Sequence, residues 1–545
     1  MYPWGAQSED AMAGERSDAP WWRGAVVYQV YIRSFCDSNG DGQGDFAGLI
    51  SKLDYIASLG VDAIWLSPIH PSPNRDWGYD VSDFESVHPD YGTLADFDAL
   101  IAAAHARGIK IILDEVLCHT SDEHEWFRDS LGRGAKSDWY VWADPKPDGT
   151  APNNWLSAFG GPAWSYQPAR RQHYHHKFLR QQPKLNWRNA EAKAAALAVL
   201  DLWLARGVDG FRLDVANAYL HDDTLADNPP VAPEKRSAAI WSHVAYLQRH
   251  IHDSNLPENI ECLAEIRRTV ERHADRFVFG EFSEGFERSG AYAAPGTGLH
   301  AAYTFAMLRA NRLSPDFVRD NIEVLARFPE HWPCVSFCNH DIMRTVTRFG
   351  GGSDGNPALA KLLLALLLSL KGTVLMYQGE ELGLPQAPIR RDQIRDPVGD
   401  LYYPYTMGRD GCRTPMPWDA EAPNLGFTTG NPWLPMAPAH RPLAVSEQEP
   451  QNESALNFTR RFLATRKANA ALRQGEIEIL DAPNPILAFV RTHKTERVLC
   501  VFNMSGEAAY TDVHGAKSME IGCGEATASA DALTLGPFAA WFGRL

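Results

Sequence analysis

The chain has 545 residues, a formal net charge of −16 at pH 7, 45% hydrophobic residues and 22% charged residues. This acidic balance argues against a surface for nucleic acid or an anionic membrane, and the composition is that of a globular enzyme of several domains. The most apolar run, 362–368, lies between Lys361 and Lys371. It is too short to span a bilayer and predicts a buried helix, so we expect no membrane segment.

The N-terminus and the cysteines indicate the compartment. Residues 1–20 are polar and acidic without an apolar core, so they predict a disordered leader and not a signal peptide. The eight cysteines are scattered along the chain, and three of them lie in apolar, strand-like runs. This pattern predicts free thiols in a reducing compartment, and therefore a cytoplasmic protein.

A loop rich in Asp and Gly follows the first predicted strand, 26–32. Oxygen-bearing side chains occupy alternate positions of this loop, at Asp37, Asn39, Asp41, Gln43 and Asp45. The alternation resembles the first half of an EF-hand loop, although a strand precedes it where an EF-hand has a helix. We expect four side-chain oxygens and the Gln43 carbonyl to bind Ca²⁺, with Mg²⁺ as the alternative ion. The other interpretation is a solvated turn.

Strands and helices then alternate over about 450 residues. The later predicted strands are 62–67, 110–117, 210–216, 277–282, about 300–308, 334–339 and 373–377, and the predicted helices include 46–59, 93–107, 190–206, 357–371 and about 453–472. Eight strand–helix pairs predict an α/β fold, a closed parallel (β/α)8 TIM barrel over 21–118 and 187–472.

Two segments break this alternation. Residues 119–186 lack long periodic runs and are too long for a bare loop, so they predict a small domain inserted after strand 3. Short β-rich runs over 473–545 predict a C-terminal antiparallel β-sandwich domain.

Charged residues follow the predicted strands at the end where barrel enzymes carry their sites. Asp214, Glu281 and Asp341 lie there, together with His119. Arg212 and Asp214 share a strand face, and alone they would fit a structural ion pair equally well. Three carboxylates converging on one mouth repel each other, which favours a functional site. Such groups serve glycosidic bond cleavage, because one protonates the leaving oxygen and another attacks the anomeric carbon.

Several motifs carry a family resemblance. The segments 114–119, 210–214, 279–281 and 339–341 resemble the signature regions of the α-amylase superfamily, glycoside hydrolase family 13. The segments 21–35, 377–383 and 408–418 resemble its α-glucosidase and oligo-1,6-glucosidase branch. The resemblance runs from about Trp21 to the C-terminus. It implies a retaining, exo-acting α-glucosidase that releases one glucose at a time from a small α-glucoside, as a monomer or homodimer.

The resemblance also implies roles for single residues. Asp214 matches the nucleophile that forms a covalent β-glucosyl intermediate, Glu281 the general acid/base, and Asp341 the carboxylate that holds sugar hydroxyls. Further positions match residues that surround the substrate in this family: Asp76, Tyr79, His119, Phe178, Arg212, His340 and Arg409.

Among these positions, Arg212 would keep Asp214 ionised, and the pair Asp76–Arg409 would close the pocket on the non-reducing end. The segment 37–45 matches the structural calcium site of this branch. Taken singly, the histidines and aromatic residues would also fit a core, and Arg409 would fit a solvated charge.

The substrate stays open at this point. Val215 after the nucleophile resembles enzymes that act on α-1,6 links, but one side chain is worth only about 1–3 kcal/mol. Lys184 stands where the family usually has an acidic residue, which puts the leaving-group preference in doubt. The rival functions are a sucrose isomerase or another transglucosylase. A non-catalytic, transporter-associated scaffold is disfavoured because all three carboxylates are present.

Overall fold

The computed structural model describes residues 19–235, 244–283, 285–351, 355–513, 515–529 and 532–545. Residues 1–18 of the predicted leader lie outside the described residues. The strands, in chain order, are β1 (Val26–Val30), β2 (Ala63–Leu66), β3 (Lys110–Glu115), β4 (Trp142–Ala143), β5 (Trp164–Gln167), β6 (Gln172–His175), β7 (Gly210–Leu213), β8 (Phe277–Phe282), β9 (Ala301–Thr304), β10 (Pro333–Val335), β11 (Thr373–Tyr377), β12 (Glu476–Leu480), β13 (Ile486–His493), β14 (Glu496–Asn503), β15 (Ala509–Thr511), β16 (Lys517–Cys523), β17 (Ala526–Ala528), β18 (Leu533–Leu535) and β19 (Ala540–Arg544).

Side-chain caps and left-handed glycines mark the ends of several α-helices. Thr93, for example, caps α3 with a reciprocal bond to Asp96, and Gly207 in a left-handed conformation ends α5. The helices are α1 (Phe46–Ser51), α2 (Leu53–Leu59), α3 (Leu94–His105), α4 (Glu125–Leu131), α5 (Ala190–Arg206), α6 (Asn259–Glu271), α7 (Phe286–Tyr292), α8 (Pro315–Ala326), α9 (Thr345–Phe349), α10 (Pro357–Ser369), α11 (Pro397–Tyr402), α12 (Asp410–Arg413), α13 (Val445–Gln448), α14 (Ala455–Ala468) and α15 (Ala470–Gln474).

Eight parallel strands close into a barrel in the order β1-β11-β10-β9-β8-β7-β3-β2. This confirms the predicted (β/α)8 architecture. The register sets Asp114 beside Arg212 between β3 and β7, and Arg212 beside Phe279 between β7 and β8. The strands β3, β7 and β8, which carry Asp114, Arg212 and Glu281, therefore lie side by side in the barrel.

Alternate residues of the barrel strands belong to two different apolar cores. One core includes Trp65, Ile112 and Phe279 inside the barrel, and the other contains Phe211 and Leu213 with residues of the surrounding helices. A strand that sends alternate residues to a core on each side is buried on both faces, as parallel sheets require. Arg212 lies between Phe211 and Leu213 in β7, so its side chain points to the barrel interior.

Some predicted elements are longer than the observed ones. Strand β7 ends at Leu213 and not at 216, because Val215 has a positive φ of 45° that an extended strand does not permit. The predicted helix 453–472 is two helices, α14 and α15. It breaks at Asn469, whose extended backbone and side chain cap the start of α15.

The segment predicted as an inserted domain carries a three-stranded antiparallel sheet in the order β4-β6-β5. It has a small apolar cluster of its own, which includes Val141, Trp155 and Trp164. This segment leaves the barrel after β3 and returns to it at α5, so it lies beside the carboxyl end of β3.

The C-terminal residues form two antiparallel sheets, one of five strands (β12-β13-β14-β19-β16) and one of three (β15-β18-β17). Residues of both sheets, including Val490, Leu499, Leu535 and Trp541, share one apolar core, as expected for a sandwich.

The eight cysteines are buried free thiols, as predicted. Helix α10 is buried along most of its length, and no helix within the described ranges is long and apolar enough to cross a bilayer.

Candidate active site

A cavity of about 620 Å³ opens at the carboxyl ends of the barrel strands. Eight of the ten predicted catalytic and substrate-binding residues line it: Asp76, Tyr79, His119, Phe178, Asp214, Glu281, Asp341 and Arg409. The other two, Arg212 and His340, are fully buried against these residues. The fold therefore brings together side chains that are separated by up to 333 residues in the sequence.

Arg212 joins the carboxylates from beneath. Its Nη1 donates to Asp114 Oδ1 at 2.6 Å and to Asp214 Oδ1 at 2.9 Å. Its Nη2 lies 2.5 Å from Glu281 Oε1, without the alignment of a hydrogen bond. One guanidinium thus spans Asp214 at the end of β7 and Glu281 in the neighbouring strand β8. A buried cation is stable here because three carboxylates surround it.

Burial has the largest effect on the pKa of Asp214 and on that of Glu281. It raises the pKa of Asp214 to about 7 against the opposing effect of Arg212, and the charges of Asp114 and Asp341 add to the rise. Burial raises the pKa of Glu281 to about 7 as well, and the charge of Asp214 adds to it. The better-aligned bond from Arg212 favours ionised Asp214, so the proton that the pair retains resides on Glu281.

A second cationic cluster holds Asp341 and Asp76. Arg409 Nη2 lies 2.7 Å from Asp76 Oδ1 and 2.7 Å from Asp396 Oδ1, and its Nη1 lies 3.3 Å from Asp341 Oδ1. Arg413 Nη2 lies 2.8 Å from the same oxygen of Asp341. Burial alone would raise the pKa of Asp341, but its cationic neighbours hold that pKa well below the usual range.

Tyr79 and His340 form a hydrogen-bonded layer under the cavity. Tyr79 Oη donates to Asp114 Oδ2 at 3.0 Å and therefore accepts from His340 Nε2 at 2.7 Å, while His340 Nδ1 accepts from Gln29 Nε2 at 2.7 Å. Burial lowers the pKa of His340 to about 3, so its ring is neutral. Both ring nitrogens are used by protein groups, and the two rings stack with centroids 5.3 Å apart.

His119 is held by the backbone and faces an aromatic wall. Its Nε2 donates to the Tyr79 carbonyl at 2.9 Å, and its Nδ1 has no protein partner. The ring of Phe178 lies 5.5 Å from the His119 ring and 5.2 Å from that of Phe159. Gln182 connects this wall to the cluster described above by donating to Asp76 Oδ2 at 3.1 Å.

We call the buried end of the cavity its inner half, defined by Asp76, Tyr79, His119, Phe178, Asp214, Glu281, Asp341 and Arg409. We call the exposed end its outer half, defined by Asn217, Tyr246, Arg249, Ser283, Arg288, Phe305 and Arg309. The two halves meet at Asn217, whose Nδ2 donates to Ser283 Oγ at 2.9 Å, three residues after Asp214.

Val215 lines the cavity next to Asp214. Its φ of 45° is rare for a β-branched side chain and stores about 1–3 kcal/mol of backbone strain. The Ala216 amide donates to the Glu281 carbonyl at 3.0 Å, which fixes the strained turn to β8. The residue that the sequence associates with linkage preference is therefore held by backbone geometry as well as by side-chain contacts.

Lys184, where the family usually has an acidic residue, is fully buried and does not line the cavity. Its Nζ donates to the carbonyls of Ala218 and, at 3.0 Å, Tyr219, and lies 3.7 Å from Cys118 Sγ. Burial lowers the pKa of this lysine. Lys184 thus ties the inserted segment to the loop that follows Asp214.

The predicted calcium loop, 37–45, offers an ion only some of the oxygen ligands it needs. Asp37 and Asp45 accept backbone N–H groups with both carboxylate oxygens, and Asp45 caps α1. Asn39 and Asp41 each accept one backbone N–H and keep free acceptor capacity. Across the part of the chain that the structure describes, no three carboxylate, imidazole or thiol groups cluster as metal ligands. The fit is therefore partial, and the ion site stays a prediction.

Comparison with known proteins matches this geometry. Residues 29–475 match the model of the alpha amylase catalytic domain, and residues 477–540 match that of the maltogenic amylase C-terminal domain. A probable alpha-glucosidase of Rhizobium meliloti (strain 1021) is 50% identical over 90% of this chain and 91% of that protein. An oligo-1,6-glucosidase of Bacillus cereus is 34% identical over 90% of this chain and 94% of that protein.

Among solved structures, an alpha-glucosyl transfer enzyme, XgtA, superposes with a TM-score of 0.93. It is 44% identical and covers 96% of this chain and 99% of its own. Together with the barrel and its three cavity carboxylates, these matches define a glycoside hydrolase. The chain belongs to the alpha-amylase family, glycoside hydrolase family 13.

The sequence patterns missed four residues that complete the inner half. Asp114 and Arg413 lie inside the motifs 114–119 and 408–418, so these motifs could have identified them as site residues. Asp396, which shares Arg409 with Asp76, precedes Pro397 in an irregular stretch and carries no local signal. Gln182 begins the stretch 182–186 that contains Lys184, and only its burial and its bond to Asp76 show its role as a connector.

Proposed function

We propose that this protein is a retaining, exo-acting α-glucosidase that cleaves terminal α-linked glucose from small glucosides. The observation that carries the proposal is the arrangement of Asp214 and Glu281 on one guanidinium at the cavity floor, with contacts of 2.9 and 2.5 Å to Arg212. Two carboxyl groups held by one guanidinium lie near each other, which supports the retaining mechanism, where their separation is roughly 5–5.5 Å.

The reaction would run in two displacements. Asp214 attacks the anomeric carbon while Glu281 gives its proton to the leaving oxygen, so a glucosyl–Asp214 ester forms and the aglycone leaves as an alcohol. Glu281, now ionised, then takes a proton from water, whose oxygen displaces Asp214. The raised pKa of Glu281 supports its role as the acid, and Arg212 supports an ionised Asp214.

The exo-action is supported by the closed inner end. Arg409, Asp76 and Asp396 form an ion cluster at this end, which would stop a longer sugar chain from passing through the pocket. Asp341, kept ionised by Arg409 and Arg413, would accept bonds from hydroxyl groups of that ring. His119 would offer its unpartnered Nδ1 to another hydroxyl.

Transglucosylation is the second candidate activity, because an alcohol can replace water in the second displacement. The similarity to an alpha-glucosyl transfer enzyme over almost the whole chain favours it. The open outer half of the cavity could hold such an acceptor.

A substrate panel tests the proposal. We expect hydrolysis of 4-nitrophenyl α-glucoside, with the α-anomer of glucose released first in a proton NMR time course, and measurable kcat/KM on sucrose, maltose or isomaltose. Release of the β-anomer would contradict retention. A dominant isomeric disaccharide with little free glucose would instead identify an isomerase.

A further inference from the structure

The arginines at the two halves of the cavity differ in whether they have a carboxylate partner. At the inner half, the guanidinium groups of Arg409, which lines it, and of Arg212 and Arg413, which lie behind it, each contact at least one carboxylate within 3.3 Å. In the outer half, the guanidinium groups of Arg249, Arg288 and Arg309 line the same cavity. No carboxylate lies within ion-pair distance of these three among the residues the structure describes.

The acidic residues that the structure describes near the outer half are paired with other cations. Asp253 is almost fully buried and binds Lys177 at 3.4 Å and His250 at 2.8 Å. Glu287, beside Arg288, binds Arg327 at 3.2 Å. Within the described residues, no acid therefore cancels the charges of these three arginines, although the whole chain has a net charge of −16.

Arg309 is also held in place. Its guanidinium carbon lies 4.9 Å from the centroid of Phe305 and 5.4 Å from that of Tyr246, and its Nη1 donates to the Ser283 carbonyl at 3.3 Å. Ser283 follows Glu281 by two residues and bonds Asn217. The charge is thus fixed close to the place where a leaving group departs from Glu281, and fewer rotamers are lost when it binds an anion.

Neutral sugars do not require three uncompensated guanidinium groups. A cavity lined by one sign of charge concentrates ligands of the opposite sign, and Arg is suited to carboxylate and phosphate groups through paired N–H donors. We propose that the outer half is a subsite for an aglycone or acceptor that carries a carboxylate or a phosphate. This inference rests on the proposed function, because it names the leaving group of the same reaction.

The test compares three glucosides with nearly the same leaving alcohol: α-glucosylglycerol, α-glucosylglycerate and α-glucosylglycerol phosphate. Exposed ion pairs are individually weak, so each arginine should contribute about twofold and the three together on the order of tenfold. We expect kcat/KM to be about tenfold higher for at least one anionic substrate than for the neutral one at low ionic strength. This ratio should fall as added salt screens the charges.

Substitutions of the arginines show which of them produce the preference for anionic substrates. Arg249→Gln, Arg288→Gln and Arg309→Gln should each lower the anionic-to-neutral ratio, and the triple variant should bring it close to one. Arg309→Lys keeps the charge and should retain more of the ratio than Arg309→Gln. Arg268→Gln is the matched control, because this exposed arginine on α6 does not line the cavity.

The outcomes separate the two proposals. If 4-nitrophenyl α-glucoside is cleaved but no anionic glucoside is preferred, or the preference survives in the triple variant, this inference is overturned alone. The relative size of the carboxylate and phosphate ratios identifies which anion the subsite takes. If the aryl glucoside is not cleaved either, the proposed function itself fails.

Discussion

The inner and outer halves of the cavity differ in how their arginines are compensated by carboxylates. At the inner half, Arg409 is mostly buried, Arg212 and Arg413 behind it are fully buried, and all three are paired with carboxylates. Arg212 contacts Asp114, Asp214 and Glu281. In the outer half, Arg249, Arg288 and Arg309 are exposed to the cavity without a carboxylate partner within the described ranges. Charges that set the protonation of the carboxyl groups are thus fixed by protein partners, whereas the charges proposed to bind an anion have no such partner among the described residues.

The largest effect should come from Asp214→Asn in the inner half. The amide cannot attack the anomeric carbon, so kcat on 4-nitrophenyl α-glucoside should fall by at least about 10⁴-fold. Asp98→Asn, which removes an exposed partner of Arg206, is the control and should leave kcat unchanged. Substantial activity in Asp214→Asn with an unchanged melting curve would remove Asp214 from the mechanism.

Arg409→Gln should have the next largest effect, because it removes the cation that pairs with Asp76 and Asp396. The change leaves Asp76 and Asp396 buried without their cation, which costs about 3–5 kcal/mol of unfolding free energy. Loss of the closed inner end should also lower kcat/KM by on the order of 10²-fold.

The control for this variant is Arg391→Gln, since Arg391 and Asp400 form a pair that is half exposed or more. Its unfolding free energy in urea should change by less than about 1 kcal/mol. Equal losses in the two variants would show that burial of the pair has no special effect.

A smaller effect is expected from pH. The pKa of Glu281 is raised to about 7, mainly by burial, so its proton is present below this pH and is lost as pH rises through it. Because the leaving oxygen needs that proton, kcat/KM should decline up to about tenfold per pH unit above pH 7. The control is α-glucosyl fluoride, whose leaving group needs little protonation and should show a weaker decline. A flat profile from pH 7 to 9 for both substrates would contradict the role of Glu281.

The smallest effect concerns the loop 37–45, which lies outside both halves. If it binds calcium, millimolar Ca²⁺ should stabilise the protein by about 2.7 kcal/mol at a hundredfold excess over Kd, measured as a rise in Tm relative to chelator. Asp41→Ala should remove this rise, and Asp148→Ala, an exposed aspartate that also caps a turn, should keep it. Equal Tm values with and without Ca²⁺ in the unaltered protein would exclude the site.

The sequence predicted the barrel because strand and helix periods alternate along one chain, and barrel geometry then places Asp214 and Glu281 on neighbouring strands. Eight of the ten residues predicted to be catalytic or substrate-binding line one cavity. The barrel and the strand-end carboxylates follow from local periodicity plus one rule about strand ends. The substrate-binding positions come from the family motifs.

The residues that escaped prediction depend on contacts between distant loops. Asp396 pairs with Arg409 across a segment that contains α11, and Arg249, Arg288 and Arg309 come from three separate segments. The side chain of Lys184 is buried under backbone carbonyls of the loop after β7, which no pattern in its own neighbourhood indicates. Packing decides these positions, and local periodicity carries no information about it.

The strained turn at Val215 has a consequence for engineering the enzyme. Replacing this valine changes a cavity contact and, at the same time, the cost of a left-handed backbone. Asn or Gly would relax that backbone, whereas Thr would keep the strain and alter only the polarity. A change in linkage preference after Val215→Thr can therefore be attributed to the side chain, but the same change after Val215→Asn reflects an altered loop as well.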